Sequence, residues 1–462
     1  MYRCLISYIL AICPLIVSAS DTLTLSQFQD IVLSHHPLIG KAELYDEIAE
    51  SYLIKGRGAL DKTFYTDYDG KQFKGLNYFR RWNSELKIPT RYPVDVSLGY
   101  ENNTGVFTNN DNTVPSNGLL YGTINVTLLR GLLFDEQRFA LRESELLADK
   151  SRIEQELIVR NILIQSMNAY VDWATAVEGV EIITAYSQRV SERHQFLIQL
   201  YQNGDKPAID TIESRINLNT ATKTKILAEE DLLRKRQKIN MFLWDNSGDP
   251  MVLLDSVVPQ DMLTITEILS EESFPLSTSW ELDPLIKKKQ IEIEQINLEN
   301  RLEKEQLKPQ LDLKLNTIHS LGDNDLAYSY NINDYKLGAY IAVPIVNRKT
   351  RGQIRLNEAL IDQSILDQQY YQAELRNMYT MLNGAQTLNQ ESLDVSIEKV
   401  QNSNLLYTAE QLKFELGESS VFLVNNRELK LLESETEYIK NLKSLCRIYT
   451  EFYFLKLGQT SN

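Results

Sequence analysis

The chain has 462 residues, 43% of them hydrophobic and 24% charged, long enough for more than one domain and too apolar for a disordered chain. Its 48 basic and 63 acidic residues give a net charge of -15. That balance argues against a nucleic-acid partner, because phosphate binding needs a basic face.

The opening residues, MYRCLISYILAICPLIVSAS, combine Arg3, an apolar core, and small residues at Val17 and Ala19 with the spacing a signal peptidase reads. Residues 1–19 are therefore predicted to be an export signal. Cys13 after Leu-Ala-Ile hints at a lipoprotein signal, but Ile12 is a poor residue before it, so lipidation is the minor alternative. Export would remove Cys4 and Cys13 and leave Cys446 alone, with no internal disulfide. Stability then has to come from packing and assembly. Beyond the signal no stretch of 18 or more apolar residues occurs, so no transmembrane helix is predicted and any membrane contact is by strands.

A helix is predicted over 25–58. The segment 61–83, DKTFYTDYDGKQFKGLNYFRRWN, either adds a hairpin or lengthens a strand. YPVDVSLGY then places Val94, Val96, Leu98 and Tyr100 on one face, and LLYGTINVTL does the same with Leu120, Ile124, Val126 and Leu128. The polar stretch ENNTGVFTNNDNTVPSNG between them has the composition of an exposed loop. No proline or Asn-Gly turn follows the second strand, so it is predicted to run straight into a helix over 131–202. A glycine turn at Gly204 and a helix over 207–243 complete the first repeat, 20–245. Residues 246–280 are predicted to be a linker.

The second repeat, 281–458, follows the same order: a helix over 281–307, alternation at Leu311, Leu313 and Leu315, a polar loop, alternation from Tyr335 to Val343, a helix over 352–416, a turn at Gly417, and a helix over 419–457. Residues 459–462 form a tail. HPLIGKAELYDEIAESYLIKG parallels DPLIKKKQIEIEQINLENRLE, and Gly204 and Gly417 fall in register, so one supersecondary unit is duplicated. All 12 prolines lie outside the two long tracts, as helices require when an interior proline costs about 3 kcal/mol. Leu132, Phe139, Leu146 and Ile153, then Leu157, Ile164 and Val171, recur at seven, and Ile354, Ile361, Leu375 and Leu382 keep the same spacing with Gln368 at the missing step. That is the seam of a coiled coil.

A 72-residue helix is roughly 108 Å long, over three times a hydrocarbon core of about 30 Å, so it stands outside the bilayer. The four alternating runs have transmembrane strand length, yet four strands cannot close a barrel and exposed edges are forbidden in lipid. Copies of the chain must therefore share one barrel.

The duplicated Pro-Leu-Ile helices, the run LLRGLLFDEQRFALRESE, and the turns YQNGDKPAIDTIE and FELGESSVFLVNN resemble the TolC-like outer membrane efflux proteins of Gram-negative bacteria, across essentially the whole mature chain. The resemblance implies a mainly helical protein with membrane β-structure. Each protomer of a homotrimer would supply four strands to a 12-stranded β-barrel in outer-membrane lipid, continuing into an α-helical coiled-coil barrel in the periplasm. It further implies a passive exit duct of a drug efflux pump or type I secretion system, docked through its helical tips to a periplasmic adaptor protein and an inner-membrane transporter of the RND or ABC type. By the same resemblance Gly204 and Gly417 are the tip glycines, flanked by Asp205, Lys206, Glu418 and Ser419 at the adaptor contact. Asp210 stands at the periplasmic entrance, with Tyr201 and Phe414 as aromatic constriction. Where some members carry acidic rings this chain has Leu423 and Asn426, and the arginine that helps lock some gates has no counterpart at Ser419.

Plainer roles stand beside these: glycines that only end helices, Asp210 as a solvated helix residue, and aromatic residues as packing or interfacial girdle. The four histidines lack ligand-like spacing. Gly56 and Gly58 lack the context of a nucleotide loop, and no nucleophile motif occurs. No cofactor, metal or enzyme activity is expected. The alternative function is an exported coiled-coil structural or adhesion protein without a pore.

Overall fold

The computed structural model describes residues 22–108, 112–273, 280–320 and 333–457. The export signal, the tail and most of the second polar loop lie outside them. In chain order the elements are β1 (Thr22–Leu23), α1 (Leu25–His35), α2 (Pro37–Arg57), β2 (Thr63–Phe73), β3 (Leu76–Ile88), β4 (Val94–Thr104), β5 (Leu119–Thr127), α3 (Glu136–Gln202), α4 (Ala208–Asn240), β6 (Val258–Pro259), α5 (Met262–Ser273), α6 (Pro284–Gln306), β7 (Gln310–Ser320), β8 (Tyr335–Ala342), α7 (Arg348–Glu415) and α8 (Val421–Leu457). They fall into two compact units. One comprises residues 43–157 and 283–374; the other runs up to 42 and takes in 158–282 and 375 onward.

The first unit carries a six-stranded sheet in the order β2-β3-β4-β5-β7-β8, antiparallel throughout. This corrects the expectation of four strands per chain. The segment 61–83 does not lengthen a strand; with the residues that follow it folds into the β2–β3 hairpin. Its turn is Lys74 and Gly75, at φ +51° and +77°, the two left-handed residues of the hairpin turn that matches strand twist.

The strand-to-helix passage is also a correction. The ladder with β7 persists past β5, with Leu128 and Arg130 N–H donating to Leu311 and Pro309 carbonyls at 2.8 and 3.0 Å. Gly131 then turns at φ +87°, and α3 begins five residues later than expected. Asp135 accepts from the Arg138 N–H at 2.8 Å, while the Arg138 guanidinium donates to the carbonyls of Gly131, Leu132 and Leu133. One arginine thus satisfies the backbone of a turn that carries no proline or Asn-Gly to announce it.

The predicted helix over 25–58 is two helices. His36, with φ -68° and ψ 130°, breaks it, because the residue before a proline is pushed out of the helical region. Where α2 passes α3, a Cβ on Gly56 would lie 1.9 Å from Ser144 Oγ, so the glycine serves close helix approach.

In the second unit, the segment expected as a linker supplies core. Met262, Ile265 and Leu269 of α5 are fully buried with Phe28, Tyr170, Trp173 and Phe452. The Tyr170 hydroxyl donates to the Leu23 carbonyl at 2.5 Å and accepts from Gln260 N–H at 3.1 Å, which binds the flanks of the parallel β1–β6 pair to α3. Ser273 Oγ donates to the Tyr449 carbonyl at 2.7 Å, and Thr266 Oγ1 lies 3.1 Å from Cys446 Sγ. Burial pushes that thiol up to about 11, so Cys446 is a packed, unreactive cysteine.

Candidate functional site

The sheet has two chemically opposite faces, and large apolar side chains stand exposed on one of them. One face carries Phe64 and Tyr68 from β2, Trp82, Leu86 and Ile88 from β3, then Val96 and Leu98, Ile124 and Val126, Leu313 and Leu315, and Leu337 and Ile341, as the strand registers dictate. Leu98 is 55% exposed, Leu337 67% and Ile341 68%. The opposite face carries Asp67, Asp69, Arg81, Glu85, Ser97, Thr123, Lys314 and Lys336, and there Ser97 is only 6% and Thr123 only 4% exposed.

That polar face is knitted together by its own groups. Arg81 donates to Asp69 at 2.8 Å, and Tyr121 donates to Asn83 at 2.8 Å with Glu85 at 3.0 Å. Gly99 leaves room for the Tyr121 ring, since a Cβ there would sit 2.3 Å from the ring. On the apolar face aromatics gather toward the loop end: Trp82 meets Tyr100 edge-on at 5.8 Å, and its indole N–H donates to Thr66 Oγ1 at 2.8 Å. An aliphatic band below an aromatic rim is the pattern that lipid-facing strands carry. Among the described residues no helix is long and apolar enough to cross a membrane.

The second unit ends in two glycine turns of one geometry. At the first, Gly204 N–H donates to Tyr201 O at 3.0 Å and Asp205 N–H to Leu200 O at 2.9 Å; at the second, Gly417 donates to Phe414 O at 3.0 Å and Glu418 to Lys413 O at 2.8 Å. These paired bonds are Schellman caps, which need a left-handed residue, and the glycines take φ +86° and +78°. Nothing lies within 4 Å of where either Cβ would be. Asp205 and Glu418 are exposed beside them. The Lys206 ammonium lies 5.6 Å from the Phe414 ring centroid, joining the two turns. Ser419 Oγ donates to Glu410 at 2.5 Å.

The residues expected at the entrance divide. Tyr201, Leu423 and Asn426 are exposed and Asp210 is half-buried in the first turn of α4. Phe414 is buried with Leu197, Tyr407, Val421, Val424 and Leu431, so its ring packs the tip core and is not presented to solvent.

Three polar clusters tie α3 to its neighbouring helices, and none of them is announced by a motif. Glu428, fully buried on α8, accepts from Arg189 Nε at 3.1 Å and from Arg193, both on α3. Its signal was present in the sequence: it follows Val424 by four and precedes Leu431 by three, a charge on an apolar seam. His194 Nδ1 lies 2.6 Å from Ser214 Oγ, tying α3 to α4; burial, aided by the Arg215 charge, lowers the His194 pKa, favouring the neutral ring. Asp172, buried on α3, faces Lys443 at 2.7 Å and Arg447 at 2.9 Å from α8, and Lys238 at 3.5 Å and Lys235 at 3.6 Å from α4. Burial pushes its carboxyl upward, but Lys443 and Arg447 outweigh this and hold it at about 2.

No protein-family model and no curated protein matches the sequence. Solved structures do match. The Campylobacter jejuni CmeC outer membrane channel aligns with a TM-score of 0.65 at 12% identity, over 95% of this chain and 87% of that one. VceC, an outer membrane protein of Vibrio cholerae, aligns at 0.63 and 12%, over 94% of each chain. The open MtrE outer membrane channel of Neisseria gonorrhoeae aligns at 0.63 and 13%, over 94% and 88%. At these identities the likeness is one of architecture. The chain has the outer-membrane-channel fold that the TolC-like order of its sequence elements anticipates.

Proposed function

We propose that the protein is an outer membrane channel, the passive exit duct of a tripartite efflux pump or type I secretion system. One observation carries the reading: a sheet with one continuous, largely exposed apolar face and one polar, charge-bearing face suits lipid on one side and water on the other. Its unpaired edges favour a homotrimer in which copies share one barrel. The 67 residues of α3 span roughly 100 Å at about 1.5 Å each, which suits a periplasmic duct and not a bilayer. Coiled-coil association of copies is supported by exposed apolar residues at heptad steps: Ile209, Ile212, Ile216, Ile226 and Leu233 on α4, and Met381, Leu388 and Val395 on α7.

The paired tips suit docking to the hairpins of a periplasmic adaptor. Gly204 and Gly417 leave the approach open, while Asp205, Lys206, Glu418 and Ser419 supply polar contacts, and an inner-membrane transporter supplies the energy. Tyr201, Asp210, Leu423 and Asn426 line the proposed entrance, with Phe414 setting its shape from behind.

Purified in detergent and added to a planar lipid bilayer, the protein should produce discrete ion-conducting steps. Asp210→Ala should change the block of that current by divalent cations; unchanged block would remove Asp210 from the entrance. A chain that is monomeric and soluble without detergent would instead favour an exported coiled-coil protein without a pore.

A further inference from the structure

We infer that each copy contributes six strands to the membrane wall, so that the trimeric barrel has eighteen strands rather than twelve. The inference rests on the shared-barrel reading above and concerns the β2–β3 hairpin.

Continuity of the wall is the first ground. β3 is paired with β4 over nine consecutive residues, from Arg80 opposite Thr104 to Ile88 opposite Val96, and β2 is paired with β3 along its whole length with one register shift near the turn. The hairpin is thus an integral part of the sheet and not an appendage on its rim. Its faces match its neighbours' strand by strand. Phe64 and Leu86 lie level with Leu98, in the aliphatic band; Tyr68 and Trp82 lie level with Asn102, beside Tyr100 in the aromatic rim. Asp67, Asp69 and Arg81 continue the polar face of Glu101 and Asn103. A hairpin built to stand in water would not carry Phe64 and Tyr68 exposed on the lipid side, each at 67%.

Edge chemistry is the second ground. With the hairpin in place the open edges are β2 and β8, not β4 and β8. β2 runs from the helix end toward the loop end and β8 runs back, so the edges of neighbouring copies meet antiparallel and continue the alternation around the ring. Neither edge strand contains a proline to block pairing. On the polar face Asp67 and Asp69 of β2 would meet Lys336 of β8. On the lipid face Phe64 and Tyr68 would meet Tyr335, Leu337 and Ile341. A bilayer offers no other partner for these backbone groups.

The consequence is a wide mouth. With a strand spacing of about 4.8 Å and a tilt of about 40°, eighteen strands enclose a barrel about 36 Å across between backbones, against about 24 Å for twelve. Barrels of about 16–18 strands keep an aqueous lumen, so the sheet end is not the constriction of this duct.

Electron cryomicroscopy of the unmodified, detergent-solubilised protein should count eighteen strands around three copies. In parallel, Lys336→Cys combined with Asp67→Cys or Asp69→Cys should form, on oxidation, intermolecular disulfides that give dimer and trimer bands on a denaturing gel, while Lys336→Cys with Ser97→Cys on β4 should give none. Twelve strands around a trimer, or cross-links from β8 to β4, would overturn the inference and leave the channel reading standing. Two copies closing twelve strands would also overturn it. A detergent-free monomer would remove the channel reading itself.

Discussion

Glu428 shows how one charge can fix a helix interface. It sits at a seam position of α8 between Val424 and Leu431, where an apolar residue would pack, and it is tolerated because Arg189 and Arg193, one turn apart on α3, both donate to it. Removing one side of a buried pair strands the other, so Glu428→Ala should cost about 3–5 kcal/mol, read as a lowered melting midpoint by circular dichroism in detergent. Asp172 works through four cations. Its carboxyl is held at about 2 in the folded chain, below its unfolded value of about 3.9, so its contribution is complete above about pH 4 and is lost as the pH falls toward 2. That contribution is about 2.6 kcal/mol. Asp172→Asn should lower stability at pH 7 and flatten its decline between pH 4 and 2, measured by denaturant melts across that range.

Elements are joined by small residues at sharp places. Gly131 and Arg138 turn β5 into α3, the tip glycines cap α3 and α7, and Gly56 lets α2 lie against α3. A Cβ at Gly56 would meet both Ser144 Oγ, at 1.9 Å, and Ser144 Cβ, at 2.4 Å, which rotation of the hydroxyl alone cannot relieve. Gly56→Ala should therefore destabilise by about 1–3 kcal/mol, and Ser144→Gly should restore most of the loss in the double variant, a coupling that independent sites would not show. Heptad steps at Leu375 and Leu382 were legible as seam positions, and both are buried within one chain. Helix breaks were legible through proline: proline-free tracts bounded α3 and α7, and Pro37 marks the break at His36 within the expected 25–58 helix.

At the scale of the whole molecule, much of what a single chain exposes is apolar, along α4 and α7 and over the outer sheet face. In the proposed channel such surface would be covered by lipid or by another copy. If the proposed trimer forms, Ile212→Glu with Ile216→Glu should leave the chain folded but shift it from trimer toward monomer in sedimentation experiments in detergent, because the charges would be buried only on association. A trimer as robust as the parent would show that the α4 stripe faces water.

Periods were readable from residue order: alternation that makes strands two-faced, spacing of three and four that makes helices amphipathic, glycines that end the long helices, and a duplicated order of elements. These are local properties, carried by neighbours a few residues apart. Only the tertiary structure decided that 61–83 joins the sheet through a hairpin, because Lys74-Gly75 is a weak turn signal and its strands differ from their neighbours only in having no second-half counterpart. It alone revealed that α5, within the expected linker, supplies core, that Phe414 packs inward, and that Glu428, His194 and Asp172 have partners, since each depends on residues 20 or more positions away meeting in space. Pairing at such distances leaves no periodic trace in the chain.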